Sequence, residues 1–471
     1  MTRHDAVVVG AGPNGLASAI TLARAGRSVL VLEAEDQPGG GARSFELTEP
    51  GFVHDMCAAI VPLAAWSPAF REMPLGDFGL RFVYSPLEVA HPFDDGCAVV
   101  LERSVDGTAT MLGCDGAAYH RLMRGLVADK HVLSTAFGSM RWPHYPLSFI
   151  RLAPLALLPV TTLARLAFRR EPARALLAGM AAHSELSLEQ PITGGFGLVM
   201  SALAHAVGWP LAQGGTQRLA DALIGYLKAL RGELRTGLRV ADLTELPAHE
   251  VALFNVTPRQ LLAIAGSSFT DRYRRVLRGF RYGPGVFKLD WALDAPIPWS
   301  APDCHRAATV HLGGTLDEVA LSERTVWAGG HADRPFVLLA QQSLFDPTRA
   351  PPTKHTAWAY CHVPHGSTVD MTDVIEQQVE RFAPGFRQRI IARAAQNTRA
   401  MEQHNANHVG GDINGGLQNL FQLLTRPSAR LVPYSTSDPR IFLCSSSTPP
   451  GGGVHGMCGY LAARAALRRL R

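Results

Sequence analysis

One stretch decides the fold of this chain: Asp5-Ala-Val-Val-Val-Gly10-Ala-Gly12-Pro-Asn-Gly15, then LASAITLARAG over 16–26, then Arg27-Ser-Val-Leu-Val-Leu-Glu33. The apolar run before Gly10 predicts a buried parallel strand, because β-branched runs suit strands that are covered on both faces. Small and aliphatic residues over 16–26 recur at helical spacing, and Gly26 is a typical helix stop. A second apolar strand follows. The stretch therefore predicts a βαβ unit.

The turn between strand and helix carries a G-x-G-x-x-G motif. Gly10 allows a tight turn, Gly12 lets the backbone approach a pyrophosphate, and Gly15 lets helix and strand pack closely. The helix N-terminus presents free N–H groups and a positive dipole to phosphates. Glu33 follows Gly15 by 18 residues, close to the ~20 of a dinucleotide fingerprint, and would accept hydrogen bonds from ribose hydroxyls. This unit predicts a dinucleotide site and leaves FAD and NAD open.

Two further glycine-rich stretches flank predicted elements. The first, Gln37-Pro-Gly39-Gly40-Gly41-Ala-Arg43, directly follows the acid, and its arginine offers a charged donor. The second, over 445–459, follows the strand-like Arg440-Ile-Phe-Leu-Cys444 and precedes an Ala/Leu/Arg helix over 460–471. We expect this helix N-terminus to form another anion- or carbonyl-binding turn.

With three middle blocks, at 209–223, 345–360 and 410–416, these motifs span nearly the whole chain. Together they resemble the phytoene-dehydrogenase-related flavoproteins, within the wider amine-oxidase-like FAD superfamily. The resemblance implies non-covalent FAD and an oxidoreductase activity. It implies these cofactor-binding residues: Gly10, Gly12, Gly15, Glu33, Gly40 and Arg43 around the ADP half, Val240 at the adenine, and Gly453, Val454, His455 and Gly456 along the flavin.

The fold class that follows is α/β (α+β overall), a Rossmann-like FAD-binding domain with a discontinuous sheet-plus-helices substrate domain. The resemblance assigns 1–70, 205–265 and 405–471 to the FAD-binding domain, and 71–204 and 266–404 to the substrate-binding domain. Runs such as Val286–Trp291 and Thr356–Val363 alternate in polarity and predict half-buried antiparallel strands. Residues 235–247 run almost directly into 250–256, so the FAD domain looks shortened relative to longer relatives.

Composition narrows the function further. Of 471 residues, 47% are hydrophobic and only 18% charged, which suits a large core and an apolar ligand. The net charge is +5 without a dense basic block, so we expect no nucleic-acid partner. Seven cysteines without C-x-x-C or C-x₄-C spacing are typical of reduced thiols in a cytoplasmic protein and disfavour a disulfide reductase. Only one dinucleotide fingerprint is present, so the substrate itself is expected to reduce the flavin.

We therefore expect an FAD-dependent oxidoreductase that dehydrogenates or isomerises a carbon–carbon bond of a polyene, isoprenoid or other lipid-like molecule by hydride transfer to flavin N5. The alternatives are an amine oxidase, with Lys288 or Lys354 near the flavin, and a non-catalytic lipid- or prenyl-binding protein on the same fold. His455 is the candidate catalytic side chain; the alternative is a turn histidine bonded to backbone. His404 and His408 share i,i+4 spacing, but Asn405–Asn407 favour a loop, so no metal site is expected.

The apolar, basic-flanked segment 149–170 is too short and proline-rich to span a bilayer. It predicts peripheral contact with a membrane, with Arg165, Arg169 and Arg170 at anionic headgroups. The alternatives are a buried helix pair broken at Pro154 and Pro159, or a homodimer contact.

Overall fold

The computed structural model describes residues 3–135, 137–138 and 145–470. Its strands, in chain order, are β1 (His4–Val9), β2 (Val29–Leu32), β3 (Ser44–Glu46), β4 (Val53–Asp55), β5 (Phe82–Val83), β6 (Leu87–Pro92), β7 (Ala98–Leu101), β8 (Leu211–Ala212), β9 (Glu233–Arg235), β10 (His249–Phe254), β11 (Gly285–Leu293), β12 (Ala307–Leu312), β13 (Val337–Ala340), β14 (His355–Val363), β15 (Ile390–Gln396) and β16 (Ile441–Leu443).

The α-helices in the same residues are α1 (Pro13–Arg24), α2 (Pro62–Trp66), α3 (Pro68–Arg71), α4 (Val105–Met111), α5 (Gly116–Ala128), α6 (Lys130–Thr135), α7 (Pro146–Ala156), α8 (Val160–Ala167), α9 (Glu171–Ala182), α10 (Thr193–Val207), α11 (Gln217–Ala229), α12 (Pro258–Ala265), α13 (Asp271–Arg278), α14 (Leu316–Trp327), α15 (Thr372–Phe382), α16 (Thr398–His404), α17 (Leu420–Thr425) and α18 (Met457–Leu467).

The first sheet is parallel and has the order β16-β10-β1-β2-β9. Its central strands are buried because α1, α11 and α18 cover one face and α12 and α13 the other. Helix α1 begins at Pro13, directly after Gly12, as the motif predicts. This is the Rossmann-like sheet expected from the sequence, and all five strands lie within 1–70, 205–265 and 405–471. Between β9 and β10 there is only a single 3₁₀ turn, Leu243–Glu245.

The second sheet is mixed, with the order β15-β11-β14-β13-β12-β6-β7, and its strands lie within 71–204 and 266–404. Helices α5, α8, α9, α10 and α14 pack on one face, and α15 packs on the other. The division of the chain into two domains and the bounds of those domains stay a prediction.

The prediction that β11 and β14 are half-buried is wrong. All nine residues of β11 are buried, and most of β14 is buried as well. The polar residues of β11 face other polar groups instead of water: Lys288 pairs with Asp290, whose Oδ1 lies 3.6 Å from His54 Nδ1. Alternating polarity here reflects a layer of buried charges between β11 and β4.

Segment 149–170 contains most of α7 and all of α8. Pro154 lies inside α7, so it does not break the helix pair, whereas Pro159 is the N-cap residue of α8. The side chains of Phe149 and Arg151 lie outside the described part of the structure. Among the described residues, no helix is both long and apolar enough to cross a membrane.

Candidate active site

The glycine fingerprint forms a tight turn between β1 and α1. Gly10 has φ of +96°, and its N–H donates to the carbonyl of Leu32 at 2.7 Å. A Cβ on Gly15 would lie 1.9 Å from the carbonyl oxygen of Gly10, so only glycine permits this packing. Glu33 directly follows β2, and its Oε2 accepts a 2.6 Å hydrogen bond from the N–H of Ala11. The Glu33 carboxylate therefore stabilises the glycine loop between β1 and α1.

The second glycine loop touches the first. A Cβ on Gly40, which has φ of +56°, would lie 3.0 Å from the Cα of Gly12. Arg43 is buried, and it donates from Nε to the carbonyl of Gly40 at 2.9 Å and from Nη2 to the carbonyl of His404 at 2.6 Å. Desolvation lowers the pKa of Arg43, while Glu35 and Glu33 raise it. Arg43 thus links the second glycine loop to the C-terminal part of the chain through hydrogen bonds.

Asn255, at the end of β10, is a residue that sequence reasoning missed. Its N–H donates to Val9 at 2.8 Å, and its carbonyl accepts from Asn407 Nδ2 at 3.1 Å. A Cβ on Gly12 would lie 3.0 Å from Asn255 Nδ2. The sequence could have indicated Asn255, because it directly follows an apolar strand, and polar residues after the carboxyl ends of parallel strands face the ligand crevice of such sheets.

A cavity of about 380 Å³ extends from these loops into the space between the two sheets. Eight of the predicted cofactor-binding residues line it: Gly10, Gly12, Glu33, Gly40, Arg43, Val240, Gly453 and Val454. The other three do not: Gly15 lies beneath the turn, and His455 and Gly456 lie behind the C-terminal loop. The structure therefore brings the N-terminal and C-terminal glycine loops to one cavity.

His455 is 2% exposed and is bonded to backbone. Its Nδ1 accepts from the N–H of Met457 at 3.0 Å, so its Nε2 carries the proton and donates to the carbonyl of Gly451 at 3.2 Å. Burial lowers its pKa to about 4. His455 is therefore neutral and shapes its own turn, as the alternative interpretation from sequence described. A catalytic role for it stays a prediction.

The inner end of the cavity is an aromatic chamber. Trp358 and Tyr360 on β14 line it, and their rings stack with centroids 5.4 Å apart. Phe196, Met200 and Trp209 also line it. Three polar residues share this end: His183, Glu185 and Thr309. An apolar chamber with a few polar groups is typical of a small-molecule site.

A layer of buried charges lies beside the chamber. Lys288 Nζ lies 5.9 Å from the ring centroid of Trp358. Burial raises the pKa of Asp290 to about 6, although Lys288 opposes the shift. Asp55 pairs with Arg349 at 2.6 Å and accepts from the N–H of Thr216 at 2.8 Å. Arg349 and these hydrogen bonds hold the pKa of Asp55 below its usual value despite burial.

The segment between His404 and His408 is a loop, as Asn405–Asn407 predicted: His404 is the last residue of α16 and Asn405 is its C-cap. His408 follows beyond the helix, and burial lowers the pKa to about 3 for His404 and about 4 for His408. Both line the cavity. Within the described residues, no group of three or more His, Cys, Asp or Glu side chains is arranged to hold a metal ion.

Comparison with known proteins agrees with this geometry. Residues 8–73 match the family model of the NAD(P)-binding Rossmann-like domain. Pyridine nucleotide-disulfide oxidoreductase domain-containing protein 2 of Mus musculus is 27% identical, with 100% of this chain and 94% of that protein covered. Phytoene desaturase (lycopene-forming) of Paracoccus sp. is 23% identical, with 98% and 96% covered. A putrescine oxidase structure has a TM-score of 0.64 at 16% identity, with 99% of each chain covered.

The chain is thus an oxidoreductase with an NAD(P)-binding Rossmann-like domain of the type found in flavoenzymes. Phytoene desaturase is among its homologues, so the resemblance to phytoene-dehydrogenase-related proteins is confirmed. Amine oxidases share its fold.

Proposed function

We propose that this chain is an FAD-dependent oxidoreductase that dehydrogenates or isomerises a carbon–carbon bond of an apolar small molecule. The observation that supports this most is the single cavity that joins the glycine loops to the aromatic chamber. A dinucleotide along the loops and an apolar molecule in the chamber would share that cavity. The homology to phytoene desaturase favours an apolar substrate.

The residues of the nucleotide end fit FAD. Gly12 leaves open a space that a Cβ would close, 3.0 Å from Asn255 Nδ2 and 3.7 Å from the Cα of Gly40. The N-terminus of α1 would bind the pyrophosphate, and Glu33 retains lone pairs for ribose hydroxyls. The resemblance assigns Arg43 and Val240 to the ADP half, and Gly453 and Val454 to the flavin. FAD, when bound, would supply a hydride acceptor.

The chain's own contribution is binding, orientation and exclusion of water. Trp358 and Tyr360 form one wall of the chamber, and Trp209 belongs to the same lining. Large aromatic faces bind an apolar skeleton, and an enclosed chamber keeps water from the reacting carbons.

The test is the absorbance spectrum of the purified protein, with flavin bands as the expected result. A Gly12→Trp variant should lose the flavin, because its side chain would fill the space of the pyrophosphate. Gly76→Trp is the control, since Gly76 is exposed and a Cβ there meets nothing within 4 Å. Protein without flavin bands, and without rescue by added FAD, would contradict the proposal.

Amine oxidation is the second candidate. It is favoured by Lys288, which is buried next to the chamber wall at Trp358. Neither Lys288 nor Lys354 is among the residues that line the cavity. Anaerobic mixing with a panel of alkenes and amines separates the two candidates by which class bleaches the flavin absorbance. Peroxide release on amines without turnover of alkenes would support amine oxidation. A bound flavin that neither class reduces would support a non-catalytic lipid-binding protein.

A further inference from the structure

Glu185 is a buried acid at the inner end of the cavity for which the described residues offer Oε2 no hydrogen-bond partner. It is 5% exposed and follows α9. Its φ of +55° lies in the left-handed region, which is uncommon for residues other than glycine, asparagine and aspartate. Backbone strain and an unsatisfied buried carboxyl both cost stability, and residues that combine them cluster at functional sites.

The two neighbouring carboxyls each have a partner and do not line the cavity. Glu323 Oε2 lies 2.7 Å from His362 Nδ1, while its Oε1 has no hydrogen-bond partner among the described residues. Asp412 accepts 2.7 Å hydrogen bonds from the N–H groups of Gly283 and Asn414. Both acids lie within electrostatic range of Glu185, and burial together with these charges raises the pKa of Glu185 well above its usual value. Of these three acids, Glu185 is the one that lines the cavity, so it is the one that can meet a ligand there.

The other groups near Glu185 belong to the chamber. Tyr360 and Cys57 interact electrostatically with it, and both line the cavity, as does His183. The remaining inner lining is largely apolar and includes Phe196, Met200 and Trp209. A ligand that fills this chamber is therefore apolar along most of its length and meets a carboxyl at Glu185.

We propose that Glu185 is a specificity-determining residue that binds a hydrogen-bond-donating end group, a hydroxyl or a protonated amine, on an otherwise apolar substrate. This rests on the proposed function, because it takes the chamber as the substrate site. A site with a buried polar group rejects an analogue that lacks the matching group, since the protein group is then left unpaired. Glu185 would thus select functionalised molecules over plain hydrocarbons.

The test is calorimetric titration of the flavin-loaded protein with three probes of equal chain length: octylamine, octanol and octyl methyl ether. The ether has no hydrogen-bond donor. We expect the wild type to bind one of the two donors about ten- to a hundredfold more tightly than the ether, in line with a hydrogen bond to a charged or buried group. Octylamine as the tighter probe identifies a cationic end group, and octanol identifies a hydroxyl.

Two variants localise the effect. Glu185→Leu removes both carboxyl oxygens and keeps a similar size, and Glu185→Asn shortens the side chain by one methylene and places a residue that tolerates left-handed backbone at this position. Both should lose the preference for the donor probe while ether binding is retained, and Glu185→Asn should keep or raise the melting temperature. The control is Glu189→Gln in the same loop, whose partly exposed carboxylate pairs with Arg324.

Equal binding of all three probes by the wild type, or an unchanged preference in both variants, would overturn the inference. The flavin spectrum is recorded for every sample. A missing flavin therefore counts against the proposed function, while an intact flavin without probe discrimination counts against the role of Glu185 alone.

Discussion

The carboxylate of Glu33 bridges two backbone segments: Oε2 accepts from the N–H of Ala11 at 2.6 Å, and Oε1 accepts from the N–H of Glu35 at 3.0 Å. Ala11 lies inside the glycine fingerprint, so the end of β2 fixes the geometry of the turn after β1. The acid therefore acts on the nucleotide site in two ways, by bracing the loop and by presenting its remaining lone pairs to a ligand.

We expect Glu33→Gln to lower FAD affinity about tenfold or more, because the amide nitrogen cannot accept from a backbone N–H and leaves one donor unpaired. The measurement is flavin content after purification together with a titration of added FAD followed by flavin fluorescence. Glu46→Gln, at an exposed position of β3, is the matched control. Wild-type affinity in Glu33→Gln would show that the bridge contributes nothing to the site.

Gly15→Ala tests the close packing beneath the turn. Because the new Cβ would lie 1.9 Å from the carbonyl oxygen of Gly10, backbone must move, and we expect a loss of about 3 kcal/mol of stability. Gly125→Ala is the comparison, since a Cβ at this position in α5 meets nothing within 4 Å. That variant should gain about 0.5–1 kcal/mol from helix propensity. Urea unfolding measures both; equal stabilities would refute the packing argument.

Arg349→Met tests the buried ion pair between Arg349, which lies between β13 and β14, and Asp55 at the end of β4. Arg349 and Asp55 are both fully buried, so removing the cation leaves an uncompensated charge, and we expect a loss of about 3–5 kcal/mol. Arg306→Met removes a surface ion pair with Asp303 and should cost at most about 1 kcal/mol. Chemical unfolding compares the two variants, and similar losses would mean that the buried pair is weakly coupled to the fold.

The sequence was most informative where backbone geometry demands a residue type. Gly10, Gly12 and Gly15 identify the turn because few other structures need glycine at that spacing after a strand. It was least informative where a partner distant in sequence decides the environment. Lys288 and Asp290 read as solvent-facing residues of β11, but His54, more than 200 positions earlier in the chain, covers them. No sequence pattern indicated Glu185, because the hydrogen-bond partners of a buried acid depend on contacts between residues that are distant in sequence.

Acid should destabilise this protein through its buried neutral histidines. Burial lowers the pKa of six of them from 6.5 to about 3 or 4: His54, His91, His183, His404, His408 and His455. A lowered folded-state pKa means that the unfolded chain binds the proton first. Stability is therefore fully present above about pH 6.5 and falls as the pH drops toward 4, by about 1 kcal/mol per histidine at pH 5.5.

Three acids oppose this trend. Asp290, with a pKa raised to about 6, Glu185 and Asp412, whose pKa burial also raises, take up protons more readily in the folded state, and so add stability as the pH falls below their pKa values. The histidines outnumber them, so the melting temperature should fall steadily from about pH 7 to pH 5. A melting temperature that stays constant or rises over this window would contradict the expected neutrality of the histidines.

The last prediction is peripheral membrane contact by segment 149–170 together with the first turn of α7, which precedes the segment. Leu147 and Ile150 are 73% and 64% exposed and share one face of α7, and Leu166 on α8 is 76% exposed. Arg169 and Arg170 are exposed nearby, whereas Arg165 pairs with Asp317 and is partly neutralised. Exposed apolar side chains beside free cations are typical of surfaces that enter the lipid interface.

We expect the protein to co-sediment with anionic liposomes at low salt and to be partly released at high salt. The double variant Leu147→Ser/Ile150→Ser should stay in the supernatant, because the apolar contribution is lost while the exposed positions leave the core intact. Ile391→Ser, at a 47% exposed position of β15, should sediment like the wild type. The wild type could stay in the supernatant while the double variant has a lower molecular mass in solution than the wild type. That outcome would identify the same patch as a homodimer contact, and the membrane prediction would be wrong.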